Sequence, residues 1–246
     1  MKATAFGFRF RSWIFLAIFV LGFTAPWDLA LHLDGPGPNS HVWGMLSVLL
    51  SKGGALSIGA AFNLVLVVGI LCALTGAWLR TWGAAYLGVG VMRDAQMRGD
   101  GVIADGPYRF VRNPLYLGIW IHTLALALLM PPSGAIFTLV LVIALPMRVI
   151  LSEEAFLTAK LGEPYTAYCA QVPRLLPTLR PHGTTSGARP HWGQAVLAEI
   201  FMWGVTLSFA VLGWRYNAQL LDQCVIVSLG VSLVARAFAT PERATV

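Results

Sequence analysis

Long apolar segments constrain this chain more than any other feature of its sequence. Six of them, each 16 to 22 residues long, cover positions 13–31, 58–79, 115–130, 134–151, 195–214 and 220–238. A helix needs about 20 mainly apolar residues to cross the hydrocarbon layer of a membrane. Only 11% of the residues are charged, whereas a soluble domain has roughly 25%. We therefore predict an all-α integral membrane protein with about six transmembrane helices.

The polar segments divide the chain into four parts. These are an N-terminal two-helix membrane region (1–79), a central module (80–180), a linker (181–194) and a C-terminal two-helix membrane region (195–246). Gly59, Gly69 and Gly76 lie along the second apolar segment and are compatible with close helix packing. A short helix is also predicted from position 42 to 50, lying on the membrane.

The central module combines a hairpin with an amphipathic helix. The sequence Pro131-Pro132-Ser133 separates the third and fourth apolar segments and predicts a tight turn between two helices. Residues 152–168 repeat apolar side chains at three- and four-residue intervals, a pattern that predicts an amphipathic helix. Gly162 and Pro164 indicate a break within it.

The basic residues predict the orientation in the membrane. If the N-terminus is cytoplasmic and six helices cross, 15 of the 17 lysines and arginines are cytoplasmic, and only Lys52 and Arg215 lie outside. Cytoplasmic loops of membrane proteins carry such an excess, which accounts for the net charge of +6. No basic stripe with stacking aromatics is present, so nucleic acid is not expected as a partner.

The cysteines and histidines do not predict a metal site. Three scattered cysteines without CxxC spacing, and five histidines without ligand spacing, argue against structural zinc and against a disulfide framework. His122 lies in an apolar segment, where a packed interior histidine is the expected role. No nucleophile motif, phosphate loop or zinc-helix motif occurs, so any chemistry needs little acid–base machinery.

Residues 105–118 form the first polar cluster with a potential function. A helix can begin at Pro114, because proline is tolerated in the first helical turn, and Asn113 before it is a suitable N-cap. The positive end of that helix could attract an anion. The alternative is that Asn113 and Pro114 simply cap a membrane helix.

Two arginines and two glutamates are the strongest candidates for chemistry. Arg109 and Arg112 could bind a carboxylate or phosphate through the planar guanidinium, or anchor the loop to lipid phosphate. Glu153 and Glu154 follow an apolar segment, and carboxylates at membrane level tend to be functional. Adjacent helical residues point about 100° apart, so we expect one glutamate to bind ribose hydroxyls or a cationic cofactor. The other would then pair with an arginine, and solvated charges at a helix end are the alternative.

Two motif blocks at this separation resemble a known family. The first block contains Gly106, Pro107, Tyr108, Arg112, Pro114, Tyr116 and Gly118, preceded by Trp82, Gly83, Tyr86, Gly88 and Gly90. The second contains Glu153, Glu154, Leu157, Gly162, Tyr165, Tyr168, Val172 and Pro173. Together they resemble the isoprenylcysteine carboxyl methyltransferases, within a wider group of membrane methyltransferases that includes phospholipid methyltransferases. The resemblance covers positions 80–177, about two-fifths of the chain.

The resemblance implies S-adenosylmethionine as methyl donor and a lipid-like or small hydrophobic acceptor, most readily a carboxylate or thiol, that arrives from the bilayer. Attack on a sulfonium methyl group needs alignment more than proton transfer. The implied catalytic residues are Arg112, Arg109 and Glu153. The implied cofactor-binding residues are Tyr108, Asn113, Pro114, Tyr116, Gly118, Glu154, Gly88 and Gly90.

Asn113 departs from the family pattern, which usually has histidine at this position. Asparagine can replace a hydrogen bond but cannot titrate near neutral pH, so a positioning role could survive and a proton-transfer role could not. Two other functions stay open: an NADPH-dependent membrane reductase, since sterol reductases share an Arg-x-Pro-x-Tyr-like block, and a non-catalytic membrane protein. The sequence does not predict an oligomeric state.

Overall fold

The computed structural model describes residues 11–24, 41–88, 102–183, 185 and 187–238. Within these ranges the chain is helical and contains no strand, which confirms the all-α class. The α-helices are α1 (Arg11–Thr24), α2 (Val42–Lys52), α3 (Ile58–Leu87), α4 (Pro114–Ala127), α5 (Pro132–Leu161), α6 (Glu163–Gln171), α7 (Trp192–Ala198), α8 (Ile200–Leu212) and α9 (Ala218–Phe238). Two 3-10 helices lie at Gly106–Arg109 and Gly213–Arg215.

Three helices, α3, α5 and α9, are long and apolar enough to cross a membrane. Helices α7 and α8 together form a fourth candidate, bent by 70° between Ala198 and Ile200. Helices α1 and α4 are apolar but have only 14 residues each, or about 21 Å at 1.5 Å per residue. The protein is a helical membrane protein, and its six crossings stay a prediction.

Two predicted helix boundaries are wrong in the same way. Helix α3 continues to Leu87 rather than ending at position 79, and α5 runs unbroken through position 152, where a separate amphipathic helix was expected. Hydropathy changes at both points, but no residue there interrupts helical hydrogen bonding. A change of polarity along a helix marks where it leaves the membrane, not where it ends.

The break predicted at Gly162 is confirmed. Gly162 has a φ of +64°, a left-handed conformation that glycine adopts without steric cost. Pro164 follows in the first turn of α6, where proline is tolerated. The chain therefore turns at Gly162, and α6 leads back toward the polar residues before α4.

The hairpin between α4 and α5 is confirmed, and α2 closes its bend. Val42 N–H donates to Met130 O at 3.0 Å, and Trp43 N–H donates to Leu128 O at 2.9 Å. Carbonyls at the end of a helix otherwise lack partners, and in lipid no water supplies one. The short helix expected near 42–50 is thus present, and it completes the backbone hydrogen bonding of the hairpin.

The apolar core joins α3, α4, α8 and α9. Its fully buried side chains include Leu66, Leu126, Leu129, Phe209 and Leu221. His122 is buried among them, with its ring Nε2 3.3 Å from Met202 O, so the expected packed interior histidine is confirmed. The most extensive helix pair in the described part of the chain is α3 with α4, and the candidate site lies at one end of this pair.

Candidate functional site

The 3-10 helix Gly106–Arg109 begins the site against the end of α3. Gly106 has a φ of +55°, and a Cβ at this position would collide with the ring of Tyr86. Only glycine permits both this backbone conformation and this approach. The tight turn buries Tyr108, which is 7% exposed, between the helix ends.

Glu154 lies between two arginines. Arg174 donates from Nε at 2.9 Å and from Nη2 at 2.7 Å to Oε2 of Glu154. Arg112 Nε lies 3.5 Å from the other oxygen, Oε1, a close ion pair without hydrogen-bond geometry. The expected pairing of a glutamate with Arg112 is therefore made by Glu154, and Arg174 is a second partner that the motifs did not include.

Glu153 faces a different set of side chains. Tyr116 Oη donates to Glu153 Oε1 at 3.3 Å. Arg80 and Glu153 both act electrostatically on the phenol of Tyr108, so the acidic residue and the basic residue both lie near one buried ring. The two adjacent glutamates have different neighbours, as their 100° separation on a helix predicts.

Within the site, three buried polar atoms have no hydrogen-bond partner in the part of the chain that the structure describes: Tyr108 Oη, Arg112 Nε and Glu154 Oε1. Burying a polar atom without a partner costs about 1–3 kcal/mol, and such atoms in a native structure call for an explanation. Burial also raises the pKa of the Tyr108 phenol, so its hydroxyl stays protonated and can donate. The Tyr108 hydroxyl can therefore donate to a ligand, whereas Arg112 Nε and Glu154 Oε1 face each other as an ion pair without a hydrogen bond.

A strap formed by residues 173–183 and 187–191 runs along the polar stretch. Its backbone hydrogen bonds are Arg112 N–H to Pro173 O at 2.9 Å, Thr178 N–H to Phe110 O at 3.0 Å, His182 N–H to Arg109 O at 2.9 Å and His191 N–H to Ala85 O at 2.8 Å. Asp105 Oδ2 accepts from Ala188 N–H at 2.9 Å. The predicted linker is therefore fastened to the site at several points along its length.

Arg109 contributes to the strap. Its Nε lies 3.5 Å from His182 O, and its Nη2 lies 3.4 Å from Gly183 O. Both are long hydrogen bonds to backbone carbonyls. Arg112, three residues later, contacts Glu154. The two arginines that were equivalent in sequence thus have different surroundings.

Asn113 precedes α4, which begins at Pro114 as expected. The prediction that its side chain caps the helix is wrong. Its Nδ2 instead donates to Arg174 O at 3.2 Å and makes no capping hydrogen bond. The backbone of Asn113 takes a φ of −123° and a ψ of 57°, and its side chain reaches the strap, so Asn113 positions the residue that binds Glu154.

The glycines and the proline of the predicted site have separate environments. Pro114 and Gly118 are buried, and a Cβ at Gly118 would lie 2.7 Å from Arg80 Cγ. Gly88 ends α3 with a φ of +83° and open space around it. Gly90 lies outside the described residues. Of these positions, Gly118 is the one whose lack of a side chain lets α3 and α4 meet.

A family model for phospholipid methyltransferases matches residues 64–163. This part of the chain is similar to the phospholipid methyltransferase family. The family points to methyl transfer onto a lipid-like substrate, and the resemblance inferred from the two motif blocks is confirmed. No curated protein and no solved structure matches the chain.

Three charged or polar side chains that contact the matched residues 64–163 lie outside them. Arg174 binds Glu154, and Glu199 binds Arg80 through two hydrogen bonds of 2.7 Å. Tyr168 Oη donates to Tyr108 O at 2.8 Å. Glu199 was detectable as a lone carboxylate inside an apolar segment. The sequence did not indicate a site role for Arg174, because an arginine after Val172-Pro173 is equally suited to anchoring the chain to the membrane surface.

Among the described residues, no three histidine, cysteine, aspartate or glutamate side chains come together in a way that could hold a metal ion. The charged groups of the site pair with one another: Arg112 and Arg174 with Glu154, and Arg80 with Glu199. These side chains are suited to binding an organic ligand by charge and hydrogen bonding.

Proposed function

We propose that the protein transfers a methyl group from S-adenosylmethionine to a lipid-like or isoprenoid acceptor at the cytoplasmic face of the membrane. Three buried atoms support this proposal most directly: Tyr108 Oη, Arg112 Nε and Glu154 Oε1. None of them has a hydrogen-bond partner in the described chain. All three residues belong to the two motif blocks that resemble the family. They include a hydrogen-bond donor, a cation and an anion.

The residues present fit the proposed donor. When bound, S-adenosylmethionine supplies a methyl group on a cationic sulfonium, and the same molecule carries a carboxylate, an amine and ribose hydroxyls. Glu154 would attract its positive charge or accept from its hydroxyls, Arg112 would bind its carboxylate, and Tyr108 would donate a hydrogen bond. Tyr116, Asn113, Pro114 and Gly118 would form the surrounding wall, with Gly88 at the end of α3. The cofactor-binding role of Gly90 stays a prediction outside the described residues.

The acceptor is best matched by a carboxylate or a thiolate on an apolar chain, as in the isoprenylcysteine carboxyl type. Such a group is already nucleophilic, so the protein needs to align it and exclude water. Arg112 or Arg109 would orient the negative head of the acceptor through the guanidinium, and Glu153 would hold Tyr116 in place. The apolar tail would remain among the lipids that surround α4 and α5.

A direct binding comparison tests this proposal. The full-length protein, purified in detergent, is titrated with S-adenosylmethionine and separately with NADPH, with heat or intrinsic fluorescence as the signal. We expect saturable binding of S-adenosylmethionine and none of NADPH. The reverse result would identify a reductase, and no binding of either would favour a non-catalytic protein. Labelled methyl transfer into a lipid extract then identifies the acceptor.

Tyr108→Phe and Tyr168→Phe are expected to have opposite effects. Because the Tyr108 hydroxyl is buried without a partner in the described chain, its removal should leave the unfolding temperature unchanged or raised and weaken donor binding about tenfold. Tyr168→Phe removes a 2.8 Å hydrogen bond to Tyr108 O and should cost about 1 kcal/mol of stability. Thermal unfolding and donor titration of both variants check this prediction. Equal changes in unfolding temperature and in donor affinity for the two variants would contradict it.

A further inference from the structure

The C-terminal helices contribute a charged residue to the site through Glu199. Glu199 lies at the elbow between α7 and α8 and is 4% exposed. Arg80 of α3 donates from Nε to Oε2 at 2.7 Å and from Nη2 to Oε1 at 2.7 Å. This bidentate geometry is the strongest that an arginine and a carboxylate form, and it joins residues 119 positions apart in the chain.

The elbow is fastened to α3 without this ion pair. Trp192 stacks on Trp78 with ring centroids 5.8 Å apart. Trp203 Nε1 donates to Thr81 Oγ1 at 2.9 Å. A buried ion pair often adds little net stability compared with apolar packing. Helix docking therefore does not by itself explain why charges lie at this position.

Arg80 is in contact with the site. Its Nη1 lies 3.4 Å from Leu115 O, and its Cγ lies 2.7 Å from where a Cβ on Gly118 would be. Its charge acts on the phenols of Tyr108 and Tyr116. An Arg80 guanidinium without Glu199 would act on Tyr108, whose buried hydroxyl lacks a hydrogen-bond partner among the described residues.

Glu199 compensates the charge of Arg80 beside the phenols of Tyr108 and Tyr116. The side chains of Arg80 and Glu199 are only 16% and 4% exposed, so water screens their charges little. Without Glu199 the guanidinium would be a buried, uncompensated positive charge, and a cationic ligand near these phenols would be repelled at short range and low dielectric constant.

We propose that Glu199 is a positioning residue for methyl transfer, which neutralises and orients Arg80 so that the site accepts a cationic methyl donor. This inference rests on the function proposed above and adds the C-terminal helix pair, which lies outside the matched residues 64–163, to the functional unit. Glu199 acts through Arg80 and does not itself contact the reacting groups.

Donor affinity of four full-length proteins tests the inference: wild type, Glu199→Gln, the double variant Glu199→Gln/Arg80→Gln, and Trp203→Phe. We expect Glu199→Gln to weaken S-adenosylmethionine binding at least about tenfold. The double variant, which removes both charges of the Arg80–Glu199 pair, should recover most of that affinity. Trp203→Phe removes a hydrogen bond one turn from the elbow and should bind the donor like wild type.

Each outcome separates the two proposals. If wild type binds no S-adenosylmethionine, the proposed function fails before Glu199 is tested. If wild type binds the donor and the double variant binds it as weakly as Glu199→Gln, the proposed neutralisation of Arg80 by Glu199 is overturned. If Glu199→Gln and Trp203→Phe both lower only the unfolding temperature, Glu199 is structural. Should Glu199→Gln not fold, the double variant still decides, because it contains no unpaired charge and is expected to bind.

Discussion

Replacing Glu154 with glutamine is expected to reduce methyl transfer at least about 30-fold, because truncating one partner of a buried charge pair costs roughly 2–5 kcal/mol. Glu154 is 12% exposed and is the partner of both Arg112 and Arg174. The amide keeps the shape of the side chain but leaves two guanidiniums facing a neutral group. The site then has a net positive charge where the cationic donor is proposed to bind. Donor titration measures the loss of donor affinity, and labelled methyl transfer measures the loss of activity.

Glu163→Gln is the matched control for this prediction. Glu163 is exposed in the first turn of α6, nine residues after Glu154. The control variant therefore also loses one carboxylate, but outside the charged side chains of the site. We expect wild-type affinity and activity from it. Similar losses in both variants would mean that total charge at the membrane surface matters, and retention of activity by Glu154→Gln would remove Glu154 from the donor site.

The motif blocks predicted local features of the candidate site, because proline and adjacent carboxylates have local consequences. Helix α4 begins at Pro114, and the two glutamates of α5 face different partners. Each of these results follows from residues a few positions apart. The sequence spacing alone was sufficient to find them.

Contacts across the chain could not be predicted in the same way. Arg80 and Glu199 are 119 residues apart, and each taken alone resembles a charge at the end of a membrane helix. Asn113 has the expected backbone position, yet its side chain binds Arg174 O instead of capping α4, since the strap offers a competing acceptor. Partner choice of this kind depends on which segments meet, and hydropathy contains no information about it.

Helix ends within apolar sequence were equally hard to predict. Position 79 is followed by Arg80, which suggests the end of a span. The helix nevertheless continues to Leu87, and Arg80 pairs with Glu199 inside the protein. The glycines of α3 also differ: Gly69 and Gly76 contact other helices, whereas the close packing considered for Gly59 is absent, since a Cβ at that position would have nothing within 4 Å. Only the fold distinguishes these glycines.

Gly76→Ala is expected to separate α3 from α4 and to destabilise the protein by about 2–3 kcal/mol, the cost of overpacking a tight contact. A Cβ at Gly76 would lie 2.6 Å from His122 Cβ and 2.7 Å from Gly118 O. Neither neighbour can rotate away, because one is backbone and the other is the first atom of a side chain. Arg80 follows one turn later, so the shift would also disturb its hydrogen bonds to Glu199, and donor binding should weaken.

Gly59→Ala provides the comparison on the same helix. Nothing lies within 4 Å of its added methyl group, and alanine favours a helix over glycine by about 1 kcal/mol, so this variant should unfold at the wild-type temperature or above it. Thermal unfolding in one detergent measures both variants. A large fall in unfolding temperature for Gly76→Ala alone would show that glycine is needed where the helices meet. Equal changes in unfolding temperature for both variants would mean that α3 and α4 are not in close contact. Because Arg80 lies on the same helix, a loss of donor binding in Gly76→Ala that exceeds its loss of folded protein would link the helix contact to the site.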